Sequence, residues 1–209
     1  MRAFIYTGGV IHPDNITEHP KTDDLCIAAD SGYHNAKLLG ERVDILIGDF
    51  DSIGRVPRDE VKDIREVPAE KDLTDTQIAL EIAVSEGADE VIIIGGLSGR
   101  LDHGLSNLGI LEDMCLRSIH GYMTDGQNRV HFLKNSSTLI ARSAYKYISI
   151  VALDEVVKGV SMEGGKYPLK NQALKRRLQY AVSNEIMGNV VLVSVKKGSI
   201  LIIESRDVK

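Results

Sequence analysis

Apolar runs that end at a carboxylate recur in the first half of this chain, and this pattern most limits how the chain folds. A buried parallel strand appears in sequence as a short unbroken apolar run, and ligands bind beyond the carboxyl ends of such strands. Three runs end this way, and a fourth carboxylate opens a helix: LCIAAD (Asp30), ILIGDFD (Asp49, Asp51), VIIIGGLSGRLDH (Asp102) and KDLTD (Asp75). Carboxylates crowded into one crevice repel one another unless cations are present. The pattern therefore predicts a magnesium–polyphosphate site.

Helical segments alternate with these strands. We predict four strands and three helices: Ala3–Tyr6, Leu25–Ala29, Ile45–Ile47 and Val91–Ile94 as strands, and Gly32–Leu39, Thr74–Glu86 and about His103–Ser118 as helices. Thr74 is a suitable N-cap, and Gly87 follows the last turn of that helix as a stop. Alternating strands and helices predict an α/β unit, with a parallel sheet and helices on its faces.

The second half contains short strand-like segments separated by turn residues. The predicted strands are Tyr122–Thr124, Arg129–Leu133, Ser137–Ala141, Tyr147–Leu153, Val156–Ser161, Leu178–Val182, Val190–Val195 and Ile200–Glu204. Close, regular spacing of this kind predicts an antiparallel sandwich or barrel. The turn Lys196–Ser199 is predicted to form a tight hairpin. We accordingly divide the chain into an α/β domain (1–120) and an all-β domain (121–209).

Composition narrows the function classes. The chain has 209 residues and a formal charge of -5, which argues against a dedicated nucleic-acid binder. No apolar run approaches the roughly 18 residues that span a bilayer, and no signal-peptide pattern follows the first strand. The two cysteines, Cys26 and Cys115, are interpreted as buried free thiols. We therefore expect a cytoplasmic protein with no membrane or nucleic-acid partner.

Asp49 and Asp51 form the strongest candidate metal pair. Side chains alternate along an extended backbone, so the two carboxylates would lie on the same side. Mg²⁺ is commonly held by one or two carboxylates together with substrate phosphates. Gly48, just before the pair, permits close approach of the backbone to a ligand. Alone, such a pair is common in solvated loops, but its place at the end of a buried run favours the metal interpretation.

Two helix starts are candidate phosphate sites, because unpaired N–H groups and a partial positive charge lie at a helix N-terminus. In the first, Lys71 would add a charge, while Thr74 and Asp75 are equally explained as a cap and a dipole partner. In the second, Gly95–His103 is a glycine-rich strand-to-helix turn in which Arg100 offers a planar fork. It matches neither the Walker A nor the Rossmann glycine pattern. Asp102 and His103 are equally explained as an N-cap and an ordinary first-turn histidine.

The motifs GDFDS, KDLTD and GGLSGRLDH, in this order, resemble those of the thiamine pyrophosphokinase (thiamine diphosphokinase) family. The later stretch Gly164–Leu169, followed by Val182–Glu185, resembles that family's thiamine-side motif. The resemblance covers essentially the whole chain. It implies an α/β ATP-binding domain and a β-sandwich domain, assembled as a homodimer with thiamine at the subunit interface.

The resemblance also implies roles for individual residues. Asp49, Asp51 and Asp75 resemble the magnesium ligands, and Arg100 and Asp102 resemble the polyphosphate and catalytic pair. Further polar ligands to ATP or thiamine would come from matching positions: Asp30, Lys71, Thr74, His103, Ser183 and Asn184. Tyr167 is a candidate for the aromatic surface that tryptophan supplies to thiamine in eukaryotic members, since this chain has no tryptophan.

The implied reaction moves the pyrophosphoryl group of ATP onto the hydroxyl of thiamine and releases AMP. Either Asp75 or Asp102 could accept the alcohol proton, and we favour Asp102 because a metal-bound carboxylate is a poor base. Two other functions remain compatible with the sequence. One is a non-catalytic nucleotide- or thiamine-binding protein, and the other is a magnesium-dependent nucleotide hydrolase.

Overall fold

The structure of this chain is a computed structural model that describes residues 1–50, 58–68, 70 and 72–207. The predictions made for Asp51 and Lys71 therefore lie outside the described residues. The chain divides into two compact units, Met1–Gly126 and Gln127–Lys209. Within the described part, no helix is long and apolar enough to cross a membrane.

Unit 1 is the predicted α/β unit with a parallel sheet. Its described strands are β1 (Arg2–Tyr6), β2 (Leu25–Ala29), β3 (Ile45–Gly48), β4 (Asp63–Glu66), β5 (Glu90–Ile94) and β6 (His120–Thr124). They pair in parallel in the order β4-β3-β2-β1-β5-β6. The helices are α1 (Gly32–Leu38), α2 (Asp75–Ser85) and α3 (Leu101–Leu116), and Pro13–Asn15 forms a 3₁₀ turn. Parallel pairing with β5 makes β6 part of this unit.

The predicted start and stop of α2 are confirmed. The Thr74 hydroxyl accepts a hydrogen bond from the Gln77 backbone N–H, and the Gln77 side chain accepts one from the Thr74 N–H. This reciprocal arrangement is a capping box, which satisfies two N–H groups that the helix leaves unpaired. At the other end Gly87 has a positive φ of 90° and its N–H bonds to the Val84 carbonyl.

The strand β4 was missed at the sequence level. Its residues, Asp63–Glu66, are mostly charged and none is fully buried, so they carry no apolar run. It lies at the edge of the sheet and pairs only with β3 among the described strands. An edge strand contributes backbone hydrogen bonds without burying an apolar face, and hydrophobic periodicity does not detect it.

Unit 2 is the predicted β-sandwich. One sheet contains β7 (Asn128–Lys134), β13 (Ser199–Ser205) and β9 (Tyr147–Ala152), paired antiparallel. The other has the order β11-β10-β12-β8, formed by β8 (Ser137–Ala141), β10 (Val156–Glu163), β11 (Leu169–Lys175) and β12 (Val190–Ser194). Buried side chains of both sheets, such as Ile148, Ile202, Val160 and Val193, share one core. Alternating strands that face each other in this way define a sandwich.

Two predictions in unit 2 are wrong. Leu178–Val182 is not a strand: a tight turn brings the Leu178 N–H to the Lys175 carbonyl, and Leu178, Tyr180 and Val182 are about half exposed. The strand in this region is β11, which was missed because it is largely exposed and polar. Nor does Lys196–Ser199 close a hairpin, because β12 pairs with β8 and β10 whereas β13 pairs with β7 and β9. The chain crosses there from one sheet to the other.

Close packing of α1 on β1 gives a stability prediction. A Cβ atom at Gly32 would lie 2.0 Å from the Tyr6 carbonyl oxygen, so Gly32→Ala should destabilise the protein by about 1–3 kcal/mol through forced displacement of backbone. Gly109, within α3, has nothing within 4 Å of the equivalent position. Gly109→Ala is the matched control and should be neutral or stabilising by up to about 1 kcal/mol. Urea unfolding measures both, and equal stabilities for the two variants would contradict this packing.

Candidate active site

A cleft of about 730 Å³ in unit 1 gathers the ends of its strands and the starts of its helices. Most of its lining lies just after β1, β2, β3 and β5 or at the N-termini of α2 and α3, as expected for a doubly wound sheet. The described residues that line it are Thr7, Gly8, Gly9, Ala29, Asp30, Ser31, Asp49, Asp72, Leu73, Thr74, Asp75, Thr76, Gly96, Ser98, Gly99, Arg100, His103, Ser106 and Asn107.

The ends of β2 and β3 place two carboxylates at the cleft. The Asp30 N–H donates to the Ile47 carbonyl at 2.7 Å, which joins the two strand ends. A Cβ atom at Gly48 would lie 3.1 Å from the Asp30 Cα and Cβ atoms, so glycine allows these segments to approach closely. Asp30 itself has a positive φ of 48°. Asp30 and Asp49 consequently face the same cleft from neighbouring strands.

The described backbone next to Asp49 is not a continuous extended strand. The strand β3 ends at Gly48, before the first acid of the Asp49–Asp51 pair. Phe50, between them, has a φ of 63° in the left-handed region and is buried in the core of unit 1. Because Asp51 lies outside the described residues, the same-side placement of the two carboxylates stays a prediction.

The N-terminus of α2 is fixed to the end of β1. The hydroxyl oxygens of Thr7 and Thr76 lie 2.9 Å apart and are buried. The capping box at Thr74 sets where the helix begins, and Asp75 in the first turn lines the cleft. Since a helix N-terminus carries a partial positive charge and free N–H groups, this end of the cleft favours an anionic ligand.

Arg100 and Asp102 form an ion pair at the start of α3. Arg100 Nη2 lies 2.6 Å from Asp102 Oδ2, and Arg100 Nε lies 3.2 Å from Oδ1. The Arg100 hydrogen bond, assisted by the His103 N–H, lowers the pKa of Asp102 to about 2. Arg100 remains 71% exposed, so its guanidinium is accessible to a ligand. A carboxylate with so low a pKa is a weak proton acceptor, which weighs against Asp102 as the base.

The residues of the cleft fit a magnesium ion. Asp49 and Asp75 both line it, and hard carboxylate oxygens are the ligands that Mg²⁺ takes together with substrate phosphates. Among the described residues no group of three or more His, Cys, Asp or Glu side chains forms a metal cluster. The third predicted ligand, Asp51, lies outside the described residues. Two carboxylates and a substrate polyphosphate are a sufficient donor set for this ion.

Of the remaining predicted residues, Thr74 and His103 line the same cleft, whereas Ser183 and Asn184 belong to unit 2. Asn184 is buried, and its side chain connects two segments of that unit. Its Oδ1 accepts from the N–H groups of Tyr167 and Glu185, and its Nδ2 donates to the Tyr167 carbonyl at 2.7 Å. The side chain of Asn184 thus holds the backbone at Tyr167, whose ring is 63% exposed.

Several polar residues that line the cleft or bond its loops were missed at the sequence level. They are Thr7, Thr76, Asn35 and Asn107, all buried or nearly so and all hydrogen-bonded around the strand ends. One signal was available: a polar side chain on the apolar face of a helix requires a partner. The glycine pair Gly8–Gly9 directly after the first strand was a second signal.

Comparison with known proteins agrees with this geometry. Residues 17–123 match the family model described as "Thiamin pyrophosphokinase, catalytic domain", and residues 136–200 match "Thiamin pyrophosphokinase, vitamin B1 binding domain". The first match covers more than half of the chain and contains most of the cleft. The chain belongs to the thiamin pyrophosphokinase family.

Individual members of the thiamin pyrophosphokinase family are similar along nearly the whole chain. Thiamine pyrophosphokinase of Bacillus subtilis is 31% identical over 200 residues, covering 93% of each chain. A crystal structure of thiamine pyrophosphokinase from Bacillus subtilis has a TM-score of 0.88 at 27% identity, with all of both chains covered. A structure of the Geobacillus thermodenitrificans thiamin pyrophosphokinase gives 0.84 at 28% identity, covering 99% of this chain and 98% of the other. The α/β unit followed by a β unit is thus the fold of this family.

Loss of the Arg100 partner should change how Asp102 titrates. In Arg100→Ala the pKa of Asp102 should rise from about 2 toward the ordinary value of 3.8, because the Arg100 hydrogen bond is the main cause that lowers it. Carboxyl-carbon NMR against pH measures this shift. Arg117→Ala, which removes a different exposed arginine pair, should leave the Asp102 titration unchanged. An unaltered titration in Arg100→Ala would show that the ion pair is absent in solution.

Proposed function

We propose that this chain transfers the pyrophosphoryl group of ATP to the hydroxyl of thiamine, giving thiamine diphosphate and AMP. The observation that carries the proposal is the single cleft that brings Asp49 and Asp75 together with a helix N-terminus and Arg100. Such a cleft suits a polyphosphate that arrives with a divalent cation. Membership of the thiamin pyrophosphokinase family supports thiamine as the acceptor.

In this proposal the polyphosphate lies along the glycine loops and the start of α2. Thr74 and Asp30 would make polar contacts to the nucleotide, with Lys71 adding a positive charge from its position before α2. Arg100 would stabilise charge on the transferred group, and His103 lines the same wall. Phosphoryl chemistry depends mainly on alignment and on neutralising charge, which fixed N–H groups and a guanidinium both supply.

We further propose that Asp49, Asp75 and Asp51 hold Mg²⁺. When bound, such an ion neutralises phosphate oxygens and orients the polyphosphate. The oxygen–phosphorus bond to thiamine forms as the bond between the β-phosphorus and the AMP oxygen breaks, and the alcohol proton leaves to solvent, because Asp75 as a metal ligand is a poor base. Asp102 takes a different role from the one favoured by sequence: its ion pair orients Arg100.

Thiamine is proposed to contact unit 2 through the segment that contains Ser183 and Asn184. Asn184 holds the backbone of Tyr167, and the Tyr167 ring is exposed beside Lys166, whose Nζ lies 5.8 Å from the ring centroid. An exposed aromatic ring on a fixed backbone is a suitable stacking surface for a flat heteroaromatic ligand. Tyr167 would thus take the place of the tryptophan found in eukaryotic members.

The assembly is proposed to be a homodimer with thiamine at the subunit interface, in the cytoplasm. Exposed apolar side chains on unit 2 support a partner surface there, including Tyr167, Val182 and Met187. Exposed apolar groups of this size gain free energy when a second surface covers them.

The direct test is to incubate the chain with ATP, Mg²⁺ and thiamine and to measure AMP and thiamine diphosphate. Equal amounts of both products, with neither formed when thiamine is omitted, are expected. Consumption of ATP without thiamine would instead indicate a nucleotide hydrolase. Binding without any product would indicate a non-catalytic binding protein.

Asp75→Asn should reduce turnover by about a hundredfold or more, because it removes a fixed charge from the site where the transition state develops. Asp63→Asn makes the same change of charge on the edge strand β4, where Asp63 pairs with Arg65, and serves as the control. Initial rates at saturating ATP and thiamine compare the two. If the two variants retained equal activity, the assignment of Asp75 would be wrong.

Asn184→Ala should raise the KM for thiamine by about fivefold or more while leaving the KM for ATP nearly unchanged, since three side-chain hydrogen bonds to the backbone of Tyr167 and Glu185 are lost. Tyr180→Ala removes another exposed tyrosine of the same unit, whose hydroxyl donates to the Ala173 carbonyl, and should leave both KM values unchanged. A larger change in the KM for ATP would contradict the proposed division between units.

A further inference from the structure

Two buried asparagines on different helices bond the glycine loops of the cleft. Asn35 on α1 uses both hydrogens of its amide: Nδ2 donates to the Thr7 carbonyl at 2.8 Å and to the Gly9 carbonyl at 3.0 Å. Asn107 on α3 donates from Nδ2 to the Gly96 carbonyl at 3.0 Å. Both side chains are more than nine-tenths buried. The loop after β1 and the loop after β5 are thus each hydrogen-bonded by one buried asparagine amide.

The two loops are also bonded to each other. The Gly96 N–H donates to the Gly8 carbonyl at 2.9 Å. The Ser98 hydroxyl donates to the Val10 carbonyl and accepts from the Val10 N–H. The four consecutive carbonyls of residues 7–10 therefore all accept hydrogen bonds from within the protein, two of them from Asn35.

Glycine is required where the asparagine amides approach. A Cβ atom at Gly96, which has a φ of 75°, would lie 2.7 Å from Asn107 Nδ2. One at Gly95, with a φ of 101°, would lie 3.2 Å from Asn35 Nδ2 and 2.4 Å from the Thr7 carbonyl oxygen. The amides thus occupy the space that side chains at these positions would need, and each supports the loop backbone directly.

We propose that Asn35 and Asn107 are positioning residues of the nucleotide site. A carbonyl oxygen that turned toward the cleft would repel a polyphosphate, whereas a backbone N–H attracts it. By holding the carbonyls of both loops against buried donors, the two amides keep the N–H groups of Gly8, Gly9 and Ser98 available to phosphate oxygens. The identity of the ligand as ATP rests on the proposed function.

The test compares ATP with adenosine, which lacks the phosphates, by calorimetric binding to the full chain. Asn107→Asp and Asn35→Asp put a carboxylate oxygen against a carbonyl, so each should weaken ATP binding by about tenfold or more and adenosine binding by less than about twofold. Asn135→Asp is the matched control. Asn135 lies in a turn of unit 2 where its Oδ1 accepts from the Gly198 N–H, a bond that aspartate retains, and ATP binding should not change.

A measurement on the unsubstituted chain does not depend on how the variants fold. ATP should slow amide hydrogen exchange at Gly8, Gly9 and Ser98 more than adenosine does. Three results would each overturn the inference. They are normal ATP binding by Asn107→Asp, an equal loss of affinity for ATP and for adenosine in the variants, and no ATP-specific protection of these amides. If ATP binding follows the expected pattern but no thiamine diphosphate forms, only the proposed function is overturned.

Discussion

The hydrogen bond from the Gly96 N–H to the Gly8 carbonyl joins the two glycine loops on which the cleft depends. The strands β1 and β5 are adjacent in the parallel sheet, and a Cβ atom would lie 2.4 Å from the Ser31 hydroxyl oxygen at Gly8 and 2.7 Å from Asn107 Nδ2 at Gly96. The Thr7–Thr76 hydroxyl pair then fixes α2 to the same strand end. The geometry of the candidate site is therefore a consequence of backbone packing at the carboxyl ends of the strands. This packing also sets the positions of the charged side chains.

Repulsion among the carboxylates of the cleft explains why the cleft favours a ligand that brings a cation. The described lining contains four aspartates and one arginine: Asp30, Asp49, Asp72 and Asp75, and Arg100. Like charges in a confined site raise the free energy of the empty protein unless a cation neutralises them. A polyphosphate alone would add to this repulsion, whereas a polyphosphate with a divalent cation reduces it. The acidic lining thus favours a metal–nucleotide complex over the free nucleotide.

Much of unit 1 could be predicted from sequence because its strands are buried on both faces. Unbroken apolar runs predicted β1, β2, β3 and β5, and the cap residues predicted where α2 begins and ends. The strands β4 and β11 escaped detection because exposed edge strands need no apolar pattern. The prediction for Leu178–Val182 was wrong for the opposite reason, since its apolar residues Leu178, Tyr180 and Val182 alternate but are about half exposed.

The sequence indicates several of the acids that line the cleft but not the residues that support its loops. Acids at strand ends are visible in sequence, and the family motifs give them an order. The amides of Asn35 and Asn107 support the loops through backbone carbonyls, and nothing in the spacing of these residues indicates which carbonyls they meet. Likewise Phe50 has a left-handed φ and a buried ring, neither of which a two-residue alternation reveals.

In the proposed reaction the β- and γ-phosphates of ATP move together to thiamine. ATP labelled separately on the α- and β-phosphorus, incubated with the chain, Mg²⁺ and thiamine, tests this most directly. The β-label should appear in thiamine diphosphate and the α-label in AMP. Recovery of the β-label in ADP or in free pyrophosphate, with none in thiamine diphosphate, would contradict it.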